Sequence, residues 1–302
     1  MRSLRFKKID AFVKEGSSGN PAACVYLEKA ITRDEMQQVA YELKGFVSEV
    51  VYCLPIAIDN RTVYSLLYYS SECEVDFCGH GTIACMYDLV ANTQELINQK
   101  EIGIRTKKGD LTVINNIFEM DAVFITAPLP RYKEIDLRAA TISGKLNIPK
   151  NYINTQYPID LINAGLNTLI VPIITLENII SIWPDADTLK NFCIANDIDI
   201  ITVFTMDGSN EINRIHTRVF APKYGYLEDP ATGSGNSALG YYLLKNRLWA
   251  GNLISITQGP NLKAPNIVKL NTIINDDGDN QILFGGSAMV RIEGSYLLHK
   301  KA

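Results

Sequence analysis

Residues 74–84, Glu-Val-Asp-Phe-Cys-Gly-His-Gly-Thr-Ile-Ala, recur in altered form as residues 228–238, Glu-Asp-Pro-Ala-Thr-Gly-Ser-Gly-Asn-Ser-Ala. The glutamate, both glycines and the alanine coincide, and Tyr87 and Leu89 extend the match to Tyr241 and Leu243. Each copy is a Gly-X-Gly turn opening onto an apolar run, which leaves the first amides of a helix without intrahelical acceptors and aims them at an anion. One such turn in each half of a 302-residue chain predicts two similar lobes, with facing helix N-termini and an acidic ligand between them.

The runs after the two turns predict the architecture. Ile83, Ala84, Cys85, Met86, Tyr87, Leu89 and Val90 offer almost no polar face, and neither do Ala238, Leu239, Tyr241, Tyr242, Leu243 and Leu244. A helix apolar all round has to be buried all round. The flanking segments read as strands, at Leu4–Val13, Asn20–Leu27, Val47–Leu54, Thr62–Tyr69, Leu111–Ile114, Ala122–Thr126, Thr168–Ile174, Ile198–Thr205, Ile212–Phe220, Leu253–Thr257, Asn266–Leu270 and Ala288–Ile292. The expected class is α+β, two similar lobes, each a mixed β-sheet or barrel wrapped around a central α-helix. Thr32-x-x-Glu35 is a capping box that starts a further helix at Arg33, and short helices are expected near Leu176–Ile182 and Ala186–Ala195. Ala127-Pro-Leu-Pro130 is the expected crossing point.

Charge and cysteine content narrow the function classes. A net charge of −4 argues against nucleic acid or an anionic membrane as partner. No apolar stretch is long enough to span a bilayer, and residues 1–13 do not read as a secretory signal. Six cysteines with no C-x-x-C pair and only three histidines make a zinc site improbable and read as reduced cytosolic thiols. The expected location is the cytoplasm.

Each motif has a bland and a functional reading. Gly79-His-Gly-Thr82 is either a glycine-assisted entry into a buried helix or an anion cradle, and its recurrence as Gly233-Ser-Gly-Asn236 favours the cradle. His80 lies inside the first turn, where hydrogen bonding or proton handling outweighs a purely structural role. Asp229 is either an Asx turn before Pro230 or a carboxylate that fixes a substrate amine or pairs with His80. Glu49 opens an apolar strand, and taken alone that position reads as a solvated strand end. Cys78 raises a two-thiol racemisation, but the repeat carries Thr232 where the second thiol belongs. A threonine hydroxyl has too high a pKa to be the second base near neutrality.

Taken together, the chain resembles the phenazine-biosynthesis isomerase-like proteins, relatives of diaminopimelate epimerase and proline racemase. The resemblance rests on Ile9-Asp-Ala-Phe12, Gly19-Asn-Pro-Ala-Ala23, Ser48-Glu49, Glu74–Thr82, Arg218-Val-Phe-Ala-Pro222, Glu228–Ser234 and Gln258-Gly259. It implies the diaminopimelate epimerase-like fold, with a first lobe of residues 1–127 plus about 289–302 and a second of residues 128–288. It also implies Glu49 as the catalytic glutamate, supported by His80 and Asp229. Gly79, Gly81, Gly233 and Ser234 would hold a substrate carboxylate, with Asn20 and Ser48 lining the site. Two departures from the family pattern touch the pocket: Leu66–Ser71 lacks the usual basic residue and proline, and no arginine follows Gln258-Gly259.

The reaction expected is a cofactor-independent isomerisation of a small amino or hydroxy carboxylic acid. One glutamate moves a proton from carbon to carbon on one face while a double bond migrates. No metal and no cofactor are expected, and a homodimer is implied by the resemblance. The competing readings are an amino-acid racemase or epimerase using Cys78, and a non-catalytic module that binds small acids.

Overall fold

The computed structural model describes residues 2–59, 61–208 and 214–299. The chain divides into two compact units, Met1–Thr126 with Gly285–Ala302, and Ala127–Phe284. The strand expected from Ile212 is described from Ile215 onward, and Ile212 itself lies outside the described residues. No described helix is long and apolar enough to cross a membrane.

The first unit contains β1 (Arg2–Ala11), β2 (Asn20–Tyr26), α1 (Arg33–Glu42), β3 (Glu49–Ile58), β4 (Arg61–Ser70), β5 (Glu74–Val75), α2 (Gly79–Ala91), β6 (Glu101–Thr106), β7 (Gly109–Asn116), α3 (Ile117–Met120) and β8 (Ala122–Thr126). The second contains β9 (Arg131–Lys133), α4 (Ala139–Leu146), β10 (Asp160–Asn163), β11 (Asn167–Pro172), α5 (Leu176–Ile180), α6 (Ala186–Ala195), β12 (Ile200–Thr205), β13 (Ile215–Phe220), β14 (Glu228–Asp229), α7 (Gly233–Lys245), β15 (Ile254–Gln258) and β16 (Asn266–Ile274). β17 (Asn280–Gly286) follows, and β18 (Ala288–Leu298) pairs antiparallel with β1.

The sequence repeat is a repeat of topology. β2 pairs parallel with β3 as β11 does with β12, and β3 pairs antiparallel with β4 as β12 does with β13. β4 then takes the two-residue β5 on one side and parallel β6, as β13 takes β14 and β15. α2 and α7 have the same length, 13 residues, and each lies inside its own unit's sheet. α2 packs on β1, β2, β3, β8 and β18, and α7 on β10, β11, β12 and β16. A curved sheet around a central helix is the arrangement that leaves no face of an all-apolar helix in water.

The small residues of the helix starts are fitted to those sheets. A Cβ on Gly81 would lie 2.7 Å from Val51 Cγ2, and one on Gly235 would lie 3.0 Å from Thr202 Oγ1. Any larger side chain would push the helix off the strand it rests on. α1 starts as expected: Thr32 Oγ1 accepts from the Glu35 amide at 3.2 Å and Glu35 Oε2 accepts from the Thr32 amide at 2.8 Å.

The near-absence of a polar face on α2 has one consequential exception. Asp88 is buried within the helix and accepts from Lys7 Nζ at 2.9 Å and from Tyr26 Oη at 2.5 Å. Asn92 Nδ2 adds a third bond at 3.0 Å. Lys7 is itself buried, so this is an ion pair deep in the unit, held because every charge in it has a hydrogen-bonded partner.

Candidate active site

The structure brings three of the singled-out side chains together at the start of α2. Glu49 is the first residue of β3, where it registers with Ala22 on β2 and Ser70 on β4. Cys78 is the N-cap of α2 and His80 its second residue. His80 Nε2 lies 3.4 Å from Glu49 Oε2, with side chains 13% and 19% exposed. Glu49 Oε2 is buried and makes no hydrogen bond, so His80, when protonated, is its counter-ion. Glu49 is therefore half-buried and faces a helix start, not the solvated strand end that its position alone predicts.

Cys78 is more deeply involved than its sequence position indicates. Its sulfur accepts from the Gly81 amide at 3.4 Å, the bond a serine or threonine usually makes at an N-cap. It also lies 3.5 Å from His80 Nδ1 and 3.9 Å from Nε2. Near-equal distances to both nitrogens put the sulfur against the ring face, out of line with either lone pair. Thr82 anchors the turn, its hydroxyl donating to the Cys78 carbonyl at 2.7 Å and sharing a bond with Tyr68 Oη. Of the remaining residues expected in this unit, Asn20 is buried at the start of β2 and Ser48 is exposed beside Glu49.

The second copy is built differently around the same backbone. Thr232 is the N-cap of α7, yet its side chain makes no cap bond and instead donates to Asp229 Oδ2. Gln258, fully buried on β15, accepts from the Thr232 amide at 3.0 Å and from Asn236 Nδ2 at 2.7 Å. Its own amide donates to the Asp229 carbonyl at 2.8 Å. One glutamine thus ties the Asp229–Thr232 turn to the sheet. Asp229 follows Glu228, whose carboxylate receives both arms of the buried Arg218 at 2.9 and 2.8 Å. A Cβ on Gly233 would meet the Phe284 ring at 2.4 Å, and Ser234 is half-buried on the first turn.

Sequence reasoning reached Gln258 and Arg218 only as motif residues and assigned them nothing. Arg218 carried only a weak signal, being a guanidinium within the strand Ile215–Phe220, all of whose residues are buried. Thr202 Oγ1 and His216 Nε2 are further buried polar atoms without hydrogen-bond partners. Burial pushes His216 down to about 4 and keeps it neutral. It belongs to the packing of β13 against β15, through Thr257 Oγ1 at 2.8 Å.

As chemistry, the first unit offers a carboxylate with a free buried oxygen beside an imidazole and a thiol, all at a helix start. Such a group can accept a proton from carbon and return it. The second offers a helix start and a carboxylate held in place.

Comparison with known proteins agrees over almost the whole length. The family described as "Phenazine biosynthesis-like protein" matches residues 9–294. Antisense-enhancing sequence 1 of Schizosaccharomyces pombe is 29% identical, covering 97% of this chain and 99% of that protein. An uncharacterized isomerase of Clostridium acetobutylicum is 24% identical over 99% of this chain and 100% of its own. A trans-2,3-dihydro-3-hydroxyanthranilate isomerase of Pseudomonas fluorescens is 24% identical over 86% of this chain and 87% of its own. Among solved structures, the Bacillus anthracis phenazine biosynthesis protein of the PhzF family superposes with a TM-score of 0.85 at 22% identity, over 98% of this chain and 100% of that one. A hydroxyproline epimerase from Agrobacterium vitis shares the fold at a TM-score of 0.56 and 10% identity, over 98% and 91%. The family match across both helix starts, with relatives named as isomerases, makes this chain an isomerase of the phenazine biosynthesis-like family.

Proposed function

We infer that the protein is a cofactor-independent isomerase that moves a proton between carbons of a small, unsaturated amino or hydroxy carboxylic acid, with Glu49 as both base and acid. The observation that carries this reading is the Glu49 carboxylate, with its buried, unbonded Oε2 held 3.4 Å from His80 Nε2. An oxygen without a hydrogen bond is open to a proton from the substrate, and the neighbouring imidazole can hydrogen-bond the carboxylate once it has returned that proton. One carboxylate suffices because donor and acceptor carbons lie on the same face. The amides of Gly79 and Gly81 at the start of α2 are assigned to the substrate carboxylate and to negative charge developing on it, and Gly233 and Ser234 are assigned to substrate binding. Asp229 is assigned to the substrate amine, with Asn20 and Ser48 lining the site. The dihydro-hydroxyanthranilate named for the Pseudomonas fluorescens relative belongs to this substrate class, and a cytoplasmic homodimer is the working form.

The Cys78 racemase reading is disfavoured by a specific observation. Its required partner position, Thr232, has its hydroxyl engaged by Asp229 and Gln258 and is in no position to serve as a base. Reaction in heavy water separates the two readings. Incubation with a cyclic diene carboxylic acid of the dihydro-hydroxyanthranilate type is expected to shift its ultraviolet spectrum as the double bond moves, with at most one solvent deuterium per product. Deuterium washed into the α-carbon of saturated amino acids, with no spectral change in the diene, would overturn the isomerisation.

A further inference from the structure

We propose that Cys78, His80 and Glu49 form a binding site for a thiophilic divalent cation, zinc above all, and that zinc occupancy switches the site off. The three ligand atoms lie within 4.8 Å of one another. They offer a thiolate, an imidazole and a carboxylate, the donor types that suit zinc and that magnesium or calcium sites do not combine.

The spacing is close to that of a real centre. Tetrahedral zinc, with bonds of about 2.0–2.3 Å, requires its nitrogen and oxygen ligands about 3.4 Å apart and nitrogen and sulfur about 3.6 Å apart. His80 Nε2 stands 3.4 Å from Glu49 Oε2 and 3.9 Å from Cys78 Sγ. The imidazole–carboxylate edge already has the required length. The sulfur has to move in toward both partners, because the three atoms are held together only within 4.8 Å, and the imidazole has to turn about its Cβ–Cγ bond, because the sulfur now lies over the ring face.

The surroundings of Glu49 point to a cation. Glu49 Oε2 is a buried carboxylate oxygen that no hydrogen bond satisfies, the kind of atom whose burial is otherwise costly. Among the described residues, its ion-pair partner is His80 and not a lysine or arginine, so no fixed positive charge competes for the position. The Gly81 amide, directed at Cys78 Sγ at 3.4 Å, holds the sulfur at the start of α2 on the side of the imidazole and the carboxylate. Binding displaces the thiol proton to solvent and forms three bonds to zinc, leaving a fourth position for water. The absence of any C-x-x-C pair, which makes zinc improbable from spacing alone, does not weigh against this site, because Glu49 arrives from a different strand.

Loss of function on zinc binding follows because the cation takes the proposed base; that consequence rests on the proposed reaction, whereas binding does not. The full-length protein, freed of metal by dialysis, is titrated with zinc ion alone and, separately, with cobalt(II). One equivalent is expected to bind, with a sulfur-to-cobalt charge-transfer band that reports a thiolate ligand. Cys78→Ser is expected to abolish the band, and Cys78→Ser, His80→Asn and Glu49→Gln each to weaken zinc by more than the about 10–100-fold that outer-shell changes cost. In unaltered protein, zinc is expected to slow iodoacetamide labelling of Cys78 and leave the exposed Cys73 unaffected, a readout that needs no variant to fold. Absence of stoichiometric zinc binding, a band that survives in Cys78→Ser, or Cys78 labelling indifferent to zinc overturns the site. Zinc binding in a protein whose Glu49→Gln form still turns over would instead sink the catalytic reading and leave the metal site standing.

Discussion

Glu49→Gln is expected to lower kcat by about a thousandfold, within the about 10²–10⁴ that a positioned acid–base group contributes, and to leave KM within a few-fold. The amide has the shape of the carboxylate and sits in the same half-buried position at the head of β3, so substrate binding loses little. It cannot take a proton from carbon. A fall of that size is about 4 kcal/mol of transition-state stabilisation. If the change acts on chemistry alone, kcat and kcat/KM fall together, the signature of an interaction made only in the transition state. The measurement is the ultraviolet change of a diene carboxylate under saturating conditions, with folding checked by circular dichroism. Turnover within tenfold of the unaltered protein would remove Glu49 from the chemistry. A raised KM at unchanged kcat would make it a binding residue. Asp229→Asn, read on the same compound, is expected to raise KM more than it lowers kcat, because its assigned role is to hold the substrate amine.

Much of this was legible in the sequence because it depends on local rules. The two Gly-X-Gly turns start helices at Gly79 and Gly233, since a glycine turn followed by an apolar run has few other solutions. All-apolar helices predict a sheet wrapped round each of them, and both α2 and α7 are buried in that way. The capping box at Thr32 is equally local. What escaped depends on partners distant in the chain. Asp88 interrupts an apolar helix, and only the fold shows that Lys7 arrives from the first strand to neutralise it. β6 and β17 are weakly marked in the sequence: β6 (Glu101–Thr106) is short and interrupted by Gly103, and β17 (Asn280–Gly286) has only three consecutive apolar residues before two glycines. By sequence position Cys78 reads as one thiol of a pair. Its contacts with the Gly81 amide and the His80 ring follow from how the helix start folds back on itself, and its closeness to Glu49 follows from which strand lies alongside.

Arg218 is where the largest stability effect is expected. Its guanidinium is fully buried and makes five hydrogen bonds. Two go to the carboxylate of Glu228, and three to the carbonyls of Ile179, Ile180 and Ile182 at 3.2, 3.2 and 2.6 Å. These carbonyls lie at the end of α5 and just beyond it, where the helix leaves acceptors unsatisfied. The Trp183 ring adds a cation–π contact, with the guanidinium carbon 4.8 Å from its centroid. Arg218→Leu keeps the volume approximately but leaves the largely buried Glu228 carboxylate without its counter-ion and removes the donor shared by three carbonyls, so it is expected to cost about 3–5 kcal/mol, read by denaturant unfolding. Lysine should not rescue it, because a single ammonium cannot span a carboxylate and three carbonyls at once. Replacing Glu228 as well, in Arg218→Leu/Glu228→Leu, is expected to recover part of the loss by removing the uncompensated charge. A cost within 1 kcal/mol of zero for the single change would mean that the network is dispensable. The functional consequence follows from position. Glu228 immediately precedes Asp229 on β14, so freeing Glu228 loosens the strand that presents Asp229 and the turn that Gln258 holds. Activity should therefore fall in Arg218→Leu even at temperatures where the protein stays folded, and the loss should appear mainly in KM.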